Sequence, residues 1–161
     1  MDKLPTWLRA GAVWTARLAV AGVFLAAAIP KLLDPVAFAT DVANYQAFPY
    51  WSVNLIAGVV PLAELAAAVA LLVPRSRKAA ALTLAGMNVV FIALIASVLV
   101  RDVDIACGCF GKAEEADAIG WPTLVRDLVL MVGIALAALP AWPGEGSSEA
   151  GSEGRSDRHI D

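Results

Sequence analysis

Two cysteines separated by a single residue carry the most pointed chemistry in this sequence. They stand in Ile105-Ala106-Cys107-Gly108-Cys109-Phe110-Gly111, and the chain has no others. In extended backbone, residues two apart face the same side. Their Cα separation then lies at or slightly beyond the long end of the disulfide range. Gly108 frees the backbone to fold tightly enough to close that gap. Such a bond would stabilise little, because the effect of a cross-link grows with the loop it closes. It would also be strained, and strained, exposed disulfides are the labile, more oxidising ones. Cys107 and Cys109 are therefore read as a thiol–disulfide site. Two thiolates also suit a soft ion such as Cu(I), although two ligands per chain would need linear geometry, a second chain or a partner. An inert pair is the remaining reading. The chain holds two cysteines and the single His159. It cannot by itself build a zinc site from four cysteines, or from two cysteines and two histidines.

A second group of candidates is ionisable and sits inside apolar stretches, where charge is expensive and functional by default. Glu64 lies deepest, with Asn88 expected at similar depth on the next helix and able to hydrogen-bond to it. Surrounded by apolar atoms, Glu64 would be held neutral by desolvation; it could then relay a proton or hydrogen-bond a quinone carbonyl. The alternative is a buried polar pair that fixes helix register. Arg126 and Asp127 are adjacent and point about 100° apart on a helix, so each is expected to pair with another element. Glu64 or Asp34 would serve Arg126, and Lys31 or Arg17 would serve Asp127, with depth disfavouring Arg17. Nearby cations favour the reactive thiolate, so at least one of Lys31, Arg101 and Arg126 is expected near the cysteines. Their other role is snorkelling to the membrane interface.

The elements that must position these residues are long and apolar. Of 161 residues, 60% are hydrophobic and 17% charged, well below the roughly 25% charge of a soluble domain. The mean hydropathy of +0.71 agrees. The net charge of −3 argues against nucleic-acid binding, which wants a basic surface. A helix crossing the hydrocarbon core needs about 20 mostly apolar residues. Four stretches qualify: about 10–29, ended by Pro30, Lys31, Asp34 and Pro35; 51–73, with Pro61 inside; 79–100, free of charge; and 122–139, with Pro122 in its first turn, where a missing N–H costs nothing. A secretory signal peptide is the rival reading of the first, after Lys3 and Arg9, but Arg17 interrupts it and the apolar character continues to Leu33. The stretch from about Val36 to Gln46 suits a short interfacial helix. Residues 144–161 are Gly, Ser and acid without periodicity and read as a disordered tail, which removes His159 from consideration. The expected fold is an all-α, polytopic four-helix membrane bundle occupying residues 1–143.

Cytoplasmic loops are enriched in Lys and Arg. Arg75, Arg77 and Lys78 separate the second and third spans, and Lys3 and Arg9 precede the first. The loop from Arg101 to Trp121 instead holds Asp102, Asp104, Glu114, Glu115 and Asp117 against Arg101 and Lys112. Both termini are therefore expected in the cytoplasm, and the cysteine loop on the periplasmic or extracellular side, where disulfide chemistry is at home.

Taken together, these residues resemble the MauE/DoxX-like family of redox-associated membrane proteins, and more closely its MauE branch. The resemblance runs from about Arg17 to Leu139. It rests on Arg17 with Phe24, Pro30-Lys31-Leu32, Pro61 with Glu64-Leu65, Phe91, Cys107-Gly108-Cys109-Phe110-Gly111 and Arg126-Asp127; the cysteine string is the specific part. It implies a four-helix membrane bundle. In the MauE branch it implies maturation of methylamine dehydrogenase, whose small subunit is rich in disulfides, beside a thioredoxin-like partner. The wider group suggests thiol redox carriers like the quinone-linked disulfide generators. Those carry a second, quinone-side cysteine pair, which this chain lacks, so a complete two-pair relay is excluded. No residue here implies a methylamine role by itself.

Two functions fit. One is a membrane thiol–disulfide oxidoreductase that exchanges electrons with an extracytoplasmic thioredoxin-like protein, with a quinone near Glu64 as the expected second carrier. The other is a non-catalytic assembly factor, or soft-metal holder, whose cysteines stay reduced.

Overall fold

The computed structural model describes residues 5–101 and 121–141. The stretch carrying Cys107 and Cys109, and the tail with His159, fall outside them. So does the expected approach of Lys31, Arg101 or Arg126 to the cysteines.

The described residues form five helices and no strand: α1 (Thr6–Leu33), α2 (Pro35–Asn44), α3 (Tyr50–Leu71), α4 (Arg77–Arg101) and α5 (Trp121–Ala138). All but α2 are long and apolar enough to cross a membrane. These four match the expected spans, with ends shifted by a few residues. Adjacent helices pack in a ring: α1 on α3 and α5, with α4 closing the ring between α3 and α5. Val20, Phe24, Ala68, Leu71, Leu84, Ile134 and Ala137, all buried, form its main apolar core. Small residues let the backbones approach; a Cβ at Gly133 would stand 3.1 Å from the Val20 side chain. Many of the large apolar side chains point outward, as at Leu18, Leu55, Leu82 and Val129. That is what a bilayer solvent requires.

Pro30 does not end α1 as expected. The helix continues to Leu33 with Pro30 inside it. A membrane helix tolerates the lost hydrogen bond because neighbouring groups can satisfy the freed carbonyl. The stop comes at Asp34, whose backbone N–H donates to Pro30 O at 3.0 Å. The same residue starts α2: its carboxylate accepts from Ala37 N at 3.0 Å, an N-cap, and Pro35 fills the first turn. The short helix expected near Val36–Gln46 is thus present. It ends at Asn44 with Tyr45 as its C-cap, and Gln46 just beyond has a φ of 53°, in the left-handed region that commonly closes a helix. Phe38 and Val42 of α2 pack on Val53 and Ala57 of α3.

Arg9 and Arg17 tie the opposite end of the bundle. Arg17 Nε donates to Ala137 O at 3.1 Å and Nη2 to Leu139 O at 2.7 Å. Arg9 Nη2 reaches Pro140 O at 3.4 Å. These carbonyls end α5, where a helix has unsatisfied acceptors and partial negative charge. Trp14 stacks over the Arg17 guanidinium, 5.1 Å from ring centroid to Cζ.

Candidate functional site

The last turn of α1 places Lys31 inward, and the middle of α3 places Glu64 opposite it. Lys31 Nζ donates to both Glu64 oxygens, at 2.8 and 2.9 Å, with both residues buried. The rings of Phe38 (α2) and Phe91 (α4) each stand 5.1 Å from Nζ, where aromatic faces attract a cation. Four helices thus meet at one ammonium. Glu64 is therefore not surrounded by apolar atoms alone, and the premise on which a neutral carboxyl was expected does not hold. Lys31 reaches inward instead of snorkelling.

Asn88 does not pair with Glu64. Its Nδ2 donates to the backbone oxygen of Asp127 at 2.8 Å, which fastens α4 to α5. Arg126 and Asp127 bind each other: Arg126 Nε and Nη2 both lie 2.9 Å from Asp127 Oδ1. For the Asp127 carboxylate, the expectation of a partner on another element rested on the angle between adjacent helix positions. A side chain as long as arginine spans that angle by folding back along the surface. Asp127 is buried, whereas the Arg126 side chain is 40% exposed, so this pair leads outward from the Lys31–Glu64 pair.

Lys31, Glu64, Asn88, Arg126 and Asp127 line one shared void of about 40 Å³ together with Phe91. All five membrane-embedded candidates therefore converge, across four helices. The space suits water, which needs a few polar partners. Among the described residues, no group of three or more His, Cys, Asp or Glu could hold a metal. Phe38 and Phe91 were missed as parts of this site. The sequence shows two phenylalanines in apolar segments, and nothing in their spacing marks them as facing a cation. The clamp of Arg17 on α5 also has no local signal in the sequence.

The family model described as methylamine utilisation protein MauE matches residues 9–140. The chain belongs to the MauE family. The match spans the ring of helices, the polar cluster and the two cysteines. Methylamine utilization protein MauE of Paracoccus denitrificans is 34% identical over 132 residues, covering 81% of this chain and 70% of that protein. The MauE of Methylophilus methylotrophus is 39% identical over 127 residues, covering 78% and 67%. That of Paracoccus versutus is 34% identical over 139 residues, covering 84% and 74%. No solved structure matches the chain. As a MauE family member with four apolar helices, it is a multi-pass membrane protein.

Proposed function

We propose that this MauE family protein is a membrane thiol–disulfide exchanger that serves the maturation of secreted or periplasmic proteins, with Cys107 and Cys109 as its reactive pair. The observation that carries the reading is Cys107-Gly108-Cys109 in the segment joining α4 to α5. A bond between these residues would be too short-ranged to serve stability and suited to exchange. Its support is the shape of the adjoining bundle end. Arg101 closes α4 and Trp121 opens α5 at the end where Tyr45 also lies. A cation at that end favours thiolate over thiol.

In the exchange, one thiolate attacks a disulfide of an extracytoplasmic thioredoxin-like partner, giving a mixed disulfide and a partner thiolate. The second cysteine attacks the mixed disulfide. The products are a Cys107–Cys109 disulfide and a reduced partner dithiol, so two electrons move and every sulfur is accounted for. The reverse sequence uses the same atoms. A quinone could take two electrons and two protons from such a dithiol. The name of the relatives suggests methylamine utilisation as the setting, and the client would then belong to that process.

The test is to express Cys107→Ser and Cys109→Ser variants, quench with acid and alkylate free thiols. One single variant is expected to accumulate a covalent, reductant-sensitive adduct with a thioredoxin-like protein. No adduct from either variant, with wild-type thiols remaining reduced in membranes, would reject the exchanger in favour of a non-catalytic assembly factor or a Cu(I)-type site.

A further inference from the structure

A groove of about 410 Å³ runs along the outside of the bundle between α2, α3 and α4. Its walls include Phe38 and Val42, Ile56 and Val60, and Met87 and Leu94. Gly86 forms part of its floor, and a Cβ there would meet nothing within 4 Å. The mouth opens sideways, past Leu82 and Val90, which are 75% and 52% exposed. Water has almost no polar partner in such a lining and does not fill it stably.

The groove is about as long as one acyl chain. From Thr83 to Leu94 it covers about 16 Å at the helical rise, against about 15 Å for the hydrocarbon of one leaflet, and it is centred on the middle of α4. Its upper end is at Tyr45 and Phe48, at the level where α2 lies. Arg101 stands just beyond. Its Nη2 donates to Tyr45 O at 2.7 Å, the residue that closes the groove, and is 3.5 Å from Ser97 Oγ; its Nε donates to Ser97 O at 3.1 Å. These bonds fix the guanidinium at the mouth and leave Nη1 to a ligand. Among the described residues Arg101 makes no ion pair with a carboxylate, Asp41 included. A fixed, exposed guanidinium is matched by phosphate oxygens.

We propose that this groove binds one anionic phospholipid. One acyl chain lies along α4 from Leu94 to Thr83, and the phosphate sits on Arg101. The lipid covers the gap between α2 and α4, and the site is independent of the thiol chemistry proposed above.

The full chain, purified in detergent, would be titrated with phosphatidylglycerol and with phosphatidylcholine of the same chains, and binding read by native mass spectrometry. One phosphatidylglycerol per chain is expected to bind in preference to phosphatidylcholine. Gly86→Leu puts a side chain into the groove, its Cβ meeting nothing within 4 Å, and should weaken phosphatidylglycerol binding about tenfold, the loss of some two buried methylenes. Arg101→Gln should remove the preference between the two lipids and keep chain binding. Thermal melting reports whether Gly86→Leu folds; if it does not, Val90→Trp at the mouth replaces it. Unchanged binding in the folded groove variant would mean lipid coats the surface without a site, and would overturn the proposal. So would displacement of the lipid by decylubiquinone with no headgroup preference, which would assign the groove to a quinone tail.

Discussion

Lys31 and Glu64 face each other across the inner seam of α1 and α3, and each neutralises a charge that the other makes tolerable. Two charges removed from water lose much hydration, and their attraction compensates only when the geometry is good and the remaining donors are used. Here both carboxylate oxygens accept from one ammonium, and two aromatic rings cover the rest of it. Removing one partner leaves the other buried and uncompensated, which in protein interiors costs about 3–5 kcal/mol. Lys31→Met and Glu64→Leu should therefore each lower the melting temperature sharply. The double variant Lys31→Met/Glu64→Leu should recover most of the loss, since an apolar pair is often neutral. Thermal melting of all four proteins in one lipid nanodisc composition, treated as a double-mutant cycle, checks this. If the double variant is as unstable as the sum of the singles, the pair is not coupled. The sequence made these residues legible as a set, because charge in an apolar run is conspicuous. It did not make the pairing legible. Which of Lys31, Asn88, Arg126 and Asp127 meets Glu64 depends on how each helix is rotated about its axis, and spans this uniformly apolar carry little rotational signal.

At the scale of elements, α2 is the part held by the least. It is ten residues long, too short for an isolated helix to be stable in water, and its hold comes from the Asp34 cap, the Phe38–Val42 face and the carbonyl tie from Tyr45 to Arg101. Asp34-Pro35 reads in the sequence only as the end of the first span, and not as the cap and first turn of α2, but the existence of the helix was legible in the stretch Val36–Gln46. The continuation of α1 through Pro30 was not, because proline stops helices in water and lipid relaxes that rule. Burial has a further consequence for this helix. Half-buried Asp41 has its carboxyl pushed above the ordinary carboxylate range by desolvation, while burial, with Asp41 second, pushes the Tyr45 phenol up to about 12. A carboxyl raised in the docked state adds stability that is fully present below its ordinary range and is lost as pH rises through the raised value. Amide hydrogen exchange across residues 35–45, corrected for intrinsic rates, should thus show more protection in mild acid than at neutral pH. Asp41→Asn should flatten the profile. Equal pH dependence in the variant would show that another group controls the helix.

At the scale of the whole molecule, the question with most bearing on function is which end of the ring faces out. Antiparallel connection puts the end of α2, Arg101 and Trp121 at one end, and Arg9, the α3–α4 turn and the end of α5 at the other. The structure changes the weight of the charges on which the orientation was read. Arg77 is 1% exposed and belongs to the packed start of α4, and Arg9 and Arg17 are engaged with the carbonyls at the end of α5. Basic residues at that end thus serve the bundle as well as the positive-inside rule. Even so, what remains points one way. Arg75 and Lys78 are exposed at the turn, and Lys3 precedes α1, whereas the segment from Asp102 to Gly120 carries five acids and one lysine. Negative residues contribute little to orientation, so the argument rests on Arg75, Lys78 and Lys3. In intact cells, a membrane-impermeant maleimide should label Cys107 and Cys109 after mild reduction, without permeabilisation. A Ser76→Cys variant in a Cys107→Ser/Cys109→Ser background should label only after the membrane is opened. The reverse pattern would put the Cys-Gly-Cys site in the reducing cytoplasm, where a standing disulfide is disfavoured, and would remove the proposed exchange with an extracytoplasmic partner while leaving the fold and the polar cluster untouched.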